Sequence, residues 1–307
     1  MSATLTERIP VQVRPHGASG SPPEPHPTTE PPKVPRAKKF LRTLRPSLIL
    51  AWAVIALVLA WAVVPQLFTS LDPLAGVASE KLRGPSAEHP FGTDAIGRDL
   101  HARMVYGSIH SLSGALIAVT LGLSIGSLLG LLAGALGSWV DSLIMRVVDV
   151  LLAIPALLLA LSIIILLGPG TFNAAIAVGI GSVAAFARLT RSEVLKVSRL
   201  DYIEAAYASG GRRSSVLMRH ILPNSLGPVA ALAAMQFGTA ILAISTLGFL
   251  GYGAPPPTPE WGLLISEGRN YVATSWWLTS IPGLVVVAVV LSANRISQSM
   301  SPTRNGA

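Results

Sequence analysis

The stretch "DYIEAAYASGGRRSSVLMRHILPN", residues 201–224, is a polar, basic island between two long apolar runs. Asp201 is a candidate N-cap, and Glu204, three residues on, can reach back to the cap's own N–H, a capping box with Asp in place of Ser or Thr. The spacing predicts a short helix that starts after Asp201. Ala205, Ala206 and Ala208 give it a thin face, and Gly210 with Gly211 closes it by supplying the left-handed conformation. A second helix is expected from about Ser214 through "LMRHIL", stopped by Pro223 and Asn224, where the next apolar run begins. The first helix has two readings on pattern alone. It is either an interfacial helix whose neighbouring arginines touch lipid headgroups or a helix that enters a groove on a protein partner. A small face grips a bilayer poorly, which favours the groove.

The flanks of the island set the class. A chain with 51% hydrophobic and 12% charged residues and a mean hydropathy of +0.58 is an integral membrane protein, not a soluble domain. A bilayer span needs about 20 apolar residues. Six runs qualify, at 47–68, 112–136, about 144–168, 172–187, 226–250 and about 278–293. The fourth is short and rich in Gly and Ala, as suits a helix packed closely on its neighbours. The expected fold is all-α with six transmembrane helices. Basic residues resist translocation, and they concentrate in the N-terminal region (Arg8, Arg14, Lys33, Arg36, Lys38, Lys39, Arg42, Arg45) and in the loop holding the island (Arg188, Arg191, Lys196, Arg199, Arg212, Arg213, Arg219). Both termini and the island are therefore expected in the cytoplasm. The net charge of +8 follows from that topology and carries no implication of nucleic-acid binding.

Residues 1–40, which include "SPPEPHPTTEPP", lack the apolar content to fold alone and are expected as a disordered, Pro-rich cytoplasmic tail ahead of a permease domain over 41–300. The run that follows is too long for the core of a cleaved signal peptide. The chain has no cysteine, so disulfides, thiolate catalysis and Cys-ligated metals are excluded. The histidines show no paired ligand spacing, so no metal site is expected. No phosphate-cradling glycine loop is present, and the energy for any transport must come from a partner or a gradient.

Within the spans, Arg146 and Asp149 lie three apart on one helix face and read as a neutralising pair. Otherwise the spans are almost free of ionisable groups, whereas proton- or sodium-coupled carriers need such groups. Gln236, Thr239 and Thr246 fall on one stripe of the fifth span. They either line a pathway or bond neighbouring helices. Outside the membrane, "FGTDAIGRD" (91–99) offers Asp94, Arg98 and Asp99 as a local ion-pair turn, with Thr93 or Asp94 capping the helix that follows. It is either a structural turn or a docking surface for an extracytoplasmic protein. The Pro-rich "GAPPPTPEWG" (253–262) reads as a rigid cap or a gate contact, with Trp261 expected in the interfacial belt.

"EAAYASG" followed after nine residues by "HILP" resembles the EAA loop of binding-protein-dependent ABC importers. "HPFGTDAIGRDLHARMVYGSIHSL" (89–112) and "TLGFLGYGAPPPTPEWGLLISEGRNYV" (246–272) are similar to segments of the C-type subunit of the dipeptide and oligopeptide permeases, the DppC and OppC type. The resemblance implies the type I permease fold of ABC importers, with the coupling loop at about 188–225. It implies that Glu204, Ala205, Ala206, Gly210, Leu222 and Pro223 dock on a cytoplasmic ATPase. It also implies a homologous second permease of the B type, two ATPase subunits that bind ATP and Mg, and an extracytoplasmic binding protein. No cofactor on this chain and no enzymatic activity of its own are expected. Short peptides are the implied substrate, with nickel chelates or glutathione as the alternative within the family. A self-contained secondary carrier is the alternative from another class, and a non-transporting scaffold is a third. Two positions depart from the family pattern. Ile244 stands where many members carry a carboxylate, and "NRISQSMSPTRNGA" replaces a more acidic ending.

Overall fold

The computed structural model describes residues 46–300; the tail expected over residues 1–40 and the last residues, 301–307, lie outside them. Helices α1 (Pro46–Val63), α2 (Leu100–Leu136), α3 (Ser138–Ala153), α4 (Ala156–Leu167) and α5 (Thr171–Ser198) are followed by α6 (Asp201–Ala208), α7 (Arg213–Val216), α8 (Leu222–Phe249), α9 (Trp261–Gly268) and α10 (Trp277–Met300). No β-strand occurs among the described residues, only isolated bridges between Gly76 and Arg98 and between Thr93 and Asp99.

Five helical stretches, α1, α2, α5, α7 with α8, and α10, are long and apolar enough to cross a membrane. The expected third span differs from its prediction. It is two helices, α3 and α4, bent by 94° at Ile154–Pro155, and it makes a sixth span only if the bent pair counts as one. Pro155 is the cause. The proline ring clashes with a helical residue before it, and Ile154 accordingly takes extended φ and ψ of −87° and 129°. The expected fourth span, 172–187, is the first part of a 28-residue helix, Thr171–Ser198, that runs on past it to Ser198. It carries Arg188, Arg191 and Lys196 with it, because nothing in "RLTRSEVLKVS" breaks a helix.

α2 and α5 pack along a ridge of glycines on α2, at 122, 126, 130 and 134, which repeats every four residues and so follows one helix face. A Cβ at Gly126 would stand 2.5 Å from the carbonyl oxygen of Val183 and 2.6 Å from Cβ of Phe186, so any side chain there would force the helices apart. Small faces of this kind let membrane helices approach closely where burial of apolar surface gives no net drive. The main core joins α1, α2, α8, α9 and α10 through Trp61, Met104, Ile241, Ile244, Trp261, Leu264 and Val289. The expected pair of Arg146 with Asp149 does not form. Asp149 instead meets Arg188 of α5 at 2.6 Å, in an exposed pair. Asp141 of α3 takes Arg191 in a two-point contact whose Nη2 to Oδ2 distance is 2.6 Å. The bend swings α3 so that its acidic face meets α5.

The two ends of the bundle are built differently. Residues 199–221 fold over one end. Residues 64–99 and 250–276 come together at the other, where Trp277 Nε1 donates to the Thr93 carbonyl at 3.3 Å and Trp261 Nε1 donates to the Met104 carbonyl at 3.1 Å.

Candidate functional site

At the loop end α6 begins at Asp201 itself. The residue flanking it is Leu200, whose carbonyl accepts from Ile203 N–H at 2.8 Å, and no side chain caps the helix. The predicted capping box is therefore absent. Asp201 and Glu204 sit in the first turn, where their negative charge complements the helix dipole. Closure follows the prediction. Gly210 has φ of 85°, its N–H donates to Tyr207 O at 2.9 Å, and Gly211 N–H donates to Ala206 O at 3.1 Å. This is the paired bonding of a Schellman motif.

Ile203 is fully buried against Val194 and Val197 of α5, Val216 of α7 and Ile221, with Leu131 of α2 and Ala206 packed beside them. Ala206 therefore faces the bundle. The solvent face of α6 is Glu204, Ala205 and Ala208, flanked by exposed Tyr202 and Tyr207. Leu222 and Pro223 are not on that face. They open α8 after a π-helical turn, Leu217–Ile221. Pro223 was expected to stop the chain's helix. It instead lacks an N–H and crowds the carbonyl four residues back, that of Arg219, and the wider π turn accommodates both defects.

The stripe on α8 borders a cavity of ≈ 290 Å³ lined by Ala118 and Val119 of α2, Ala156, Leu157 and Ala160 of α4, Val178, Gly181 and Ser182 of α5, and Gln236, Thr239, Ala240, Leu242, Ala243 and Thr246. All three predicted lining residues reach it. Thr239 and Thr246 donate to carbonyls of their own helix, those of Met235 at 3.3 Å and Leu242 at 2.8 Å. Their hydroxyls are thus used within α8 and do not bridge to neighbouring helices. Apart from these hydroxyls, Gln236 and Ser182, whose hydroxyl donates to the Gly179 carbonyl at 2.8 Å, the wall is apolar. Ile244 is buried in the core beside Gly114 and lies outside that wall.

The opposite end concentrates buried charge. Asp94 Oδ1 accepts from the N–H groups of Ile96 (2.9 Å) and Arg98 (3.0 Å). Its Oδ2 accepts from Arg98 Nε (2.6 Å) and Arg103 Nη1 (2.9 Å). Burial pushes this carboxyl up, but the Arg98 and Ile96 N–H groups and the Arg98 guanidinium outweigh it and hold the carboxyl below its ordinary value. Asp94 and Arg98 form the predicted ion-pair turn. The cap, however, is neither Thr93 nor Asp94. Asp99 caps α2 by accepting from Ala102 N–H at 2.6 Å, while its other oxygen meets His89 Nδ1 at 2.8 Å. Thr93 Oγ1 accepts from Arg83 N–H at 2.9 Å and donates to the Glu80 carbonyl. Trp261, expected at a membrane interface, is fully buried in the core.

Three residues of this end escape sequence reading. Arg103, 0% exposed, and Glu267 on α9 extend the ion pair across the chain, with Arg103 Nη1 to Glu267 Oε2 at 2.6 Å and Arg98 Nη2 to the same oxygen at 3.3 Å. Glu260, also 0% exposed, caps α9 by accepting from Gly262 N–H at 3.0 Å and Leu263 N–H at 3.1 Å. Burial pushes its carboxyl up to about 7 against those bonds. Glu is an unusual cap, so "PEWG" does not announce it. A lone Arg in the apolar opening of α2 was the one visible signal for the network.

Residues 126–304 match the family of binding-protein-dependent transport system inner membrane components. The chain is 46% identical over 222 residues to the dipeptide transport system permease protein DppC of Alkalihalophilus pseudofirmus, covering 72% of this chain and 73% of that one. It is 42% identical over 223 residues to the probable D,D-dipeptide transport system permease protein DdpC of Escherichia coli K12, covering 73% and 75%. It is 39% identical over 217 residues to the glutathione transport system permease protein GsiD of Pectobacterium atrosepticum, covering 71% and 72%. Among solved structures, a chain of the MetNI methionine ABC transporter in an inward-facing conformation superposes with a TM-score of 0.54 at 18% identity, covering 65% of this chain and 96% of that one, a likeness of fold.

Proposed function

We propose that this chain, which belongs to the family of binding-protein-dependent transport system inner membrane components, is a permease subunit of an ATP-driven importer of di- and oligopeptides. It forms half of the pathway, and a homologous permease forms the other half. In this reading the loop end faces the cytoplasm with both termini, in a bacterial inner membrane. Two ATPase subunits hold ATP and Mg and dock on the loop, and an extracytoplasmic binding protein delivers the peptide to the opposite end.

The observation that carries the reading is the build of α6. Its two turns are fastened to α5, α7 and the π turn through buried Ile203 and leave Glu204, Ala205 and Ala208 exposed between two tyrosines. A small face between aromatic shoulders fits a groove. A push on α6 reaches the bundle because Ile203 is wedged among Val194, Val197, Val216 and Ile221. The cavity wall on α8 is apolar with few polar groups, so it gives little selectivity for particular side chains and leaves choice to the delivering protein.

The test is uptake of labelled dipeptide into proteoliposomes holding the four-subunit complex. Uptake should require ATP, the binding protein and all subunits. Uptake by this chain alone on a proton or sodium gradient would overturn the reading in favour of a secondary carrier. The relative named as a glutathione permease supports one second reading, import of glutathione. In a competition assay, dipeptide should displace labelled substrate better than glutathione does, and the reverse order selects the second reading.

A further inference from the structure

The cavity of ≈ 290 Å³ between α2, α4, α5 and α8 has an uneven supply of hydrogen-bonding groups. The hydroxyl hydrogens on its wall are already used. Thr239 and Thr246 donate within α8 at 3.3 and 2.8 Å, and Ser182 donates to the Gly179 carbonyl of α5 at 2.8 Å. Their oxygens can accept, but none of the three has a hydrogen left to give. Among the described residues that line the cavity none is ionisable, so a charged peptide terminus finds no ion pair there. Gln236 is the remaining polar side chain. It is half-buried, its carboxamide has no hydrogen-bond partner among the described residues, and it offers N–H donors and a carbonyl acceptor side by side.

The complement of that pair is a peptide main chain. An extended residue points its own N–H and its own C=O to the same side, which is how two antiparallel strands exchange paired bonds. A carboxamide can lie along that edge with Oε1 accepting and Nε2 donating, whatever side chain the residue carries. Room for it is present. Gln236 and Thr246 lie ten positions apart, about 15 Å along α8, the span of about four extended residues. Across the cavity a Cβ on Gly181 of α5 would meet nothing within 4 Å, so that wall faces open space. We infer that Gln236 is a main-chain hook, which holds the N–H and C=O edge of one residue of the passing peptide and ignores its side chain. The inference rests on the transport reading. In a dipeptide the residue held is the second, whose N–H is that of the peptide bond and whose oxygen belongs to the terminal carboxylate. A peptide entering from the end opposite the loop passes Thr246 first and meets Gln236 last. Such a hook selects peptides as a class while remaining indifferent to their sequence.

The test compares uptake of alanyl-alanine with that of its ester analogue, alanyl-lactate, in which an ester oxygen replaces the peptide N–H. Both are measured in proteoliposomes holding the complete transporter, at saturating loaded binding protein, so that the delivering protein's own preference drops out. The wild type should carry the amide about three- to tenfold faster, the worth of one hydrogen bond. Gln236→Met keeps the length of the side chain without its polar groups, and should make the two rates equal by slowing the amide alone. Equal rates in the wild type overturn the inference. So does a preference that survives Gln236→Met, since the second permease or the binding protein then reads the amide. If Gln236→Met does not assemble, Gln236→Ala replaces it under the same criterion. Gly181→Leu fills the open space from the opposite wall and should slow amide and ester alike, and unchanged uptake of both would remove the cavity from the pathway and overturn the hook with it. Uptake that needs neither ATP nor the binding protein fails the transport reading itself, whatever the ratio of amide to ester, and the inference that rests on it.

Discussion

The two ends of this bundle use charge in opposite ways. At the loop end, Asp201, Glu204, Arg212 and Arg213 are exposed, and α6 is held by apolar side chains around Ile203. At the other end, Asp94, Arg98, Asp99, Arg103 and Glu260 are buried, and segments distant in sequence are joined by ion pairs and caps. A helix held by a few aliphatic contacts, with its charges in water, can exchange one partner surface for another at little cost. Buried charges lock geometry, because removing one partner strands the other. The difference teaches that the loop end is built to be contacted and the opposite end to keep its shape.

The strongest way to break the comparison is Asp94→Ala. It strands Arg98 and Arg103, and the expected loss of stability is about 3–5 kcal/mol, read as a lowered thermal midpoint of the purified complex. A loss no larger than that of an exposed pair such as Arg188 with Asp149 would remove the contrast.

The next effect is a pH slope from Glu260. Below its ordinary value of 4.5 the carboxyl is protonated whether folded or unfolded. Between 4.5 and about 7 the unfolded chain ionises first, so stability falls as pH rises and levels off above that window. The expected total is about 3 kcal/mol, and Glu260→Gln should abolish that slope. Asp94 gives the opposite sign. Its lowered value means that its contribution is complete above 3.8 and is lost as pH falls below it.

The smallest stability effect sharpens the comparison at the loop end. Ala205→Arg places a long charge on the exposed face and should change stability by less than about 0.5 kcal/mol, yet it should reduce copurification of the ATPases and uptake together. Ala206→Arg pushes into the cluster around Ile203 and should destabilise the loop itself. Equal behaviour of the two variants would show that α6 has no distinct outer face.

The class and most spans were legible because hydropathy acts over about 20 residues and needs no partner. The closure of α6 was legible because left-handed glycine is a local requirement of the backbone. Which alanine faces outward was not, since Ala205 and Ala206 are the same residue type and only the position of α5 separates them. The bend at Pro155 is local in cause, but its direction, which brings Asp149 to Arg188, depends on the packing of α3 against α5. The charge network failed to show for the same reason. Glu267 lies more than 160 residues from Arg103 in sequence, and no periodicity links them. The stripe of Gln236, Thr239 and Thr246 could be read as a face, but what the face borders needed α4 to be in place.

α2 has a mechanical consequence. Its 37 residues, at about 1.5 Å each, make a rod of about 55 Å, far longer than the about 30 Å of hydrocarbon it crosses. One end carries Asp99 and Arg103, and the other carries Leu131 against the cluster that seats α6. The rod has no proline along its length. A tilt of about 10° about its midpoint displaces its two tips by roughly 10 Å relative to each other, on a length set by the helical rise alone. The glycine ridge against α5 lies nearer the Leu131 end than the midpoint does, so a tilt about that ridge instead moves the Asp99 end farther than the loop end.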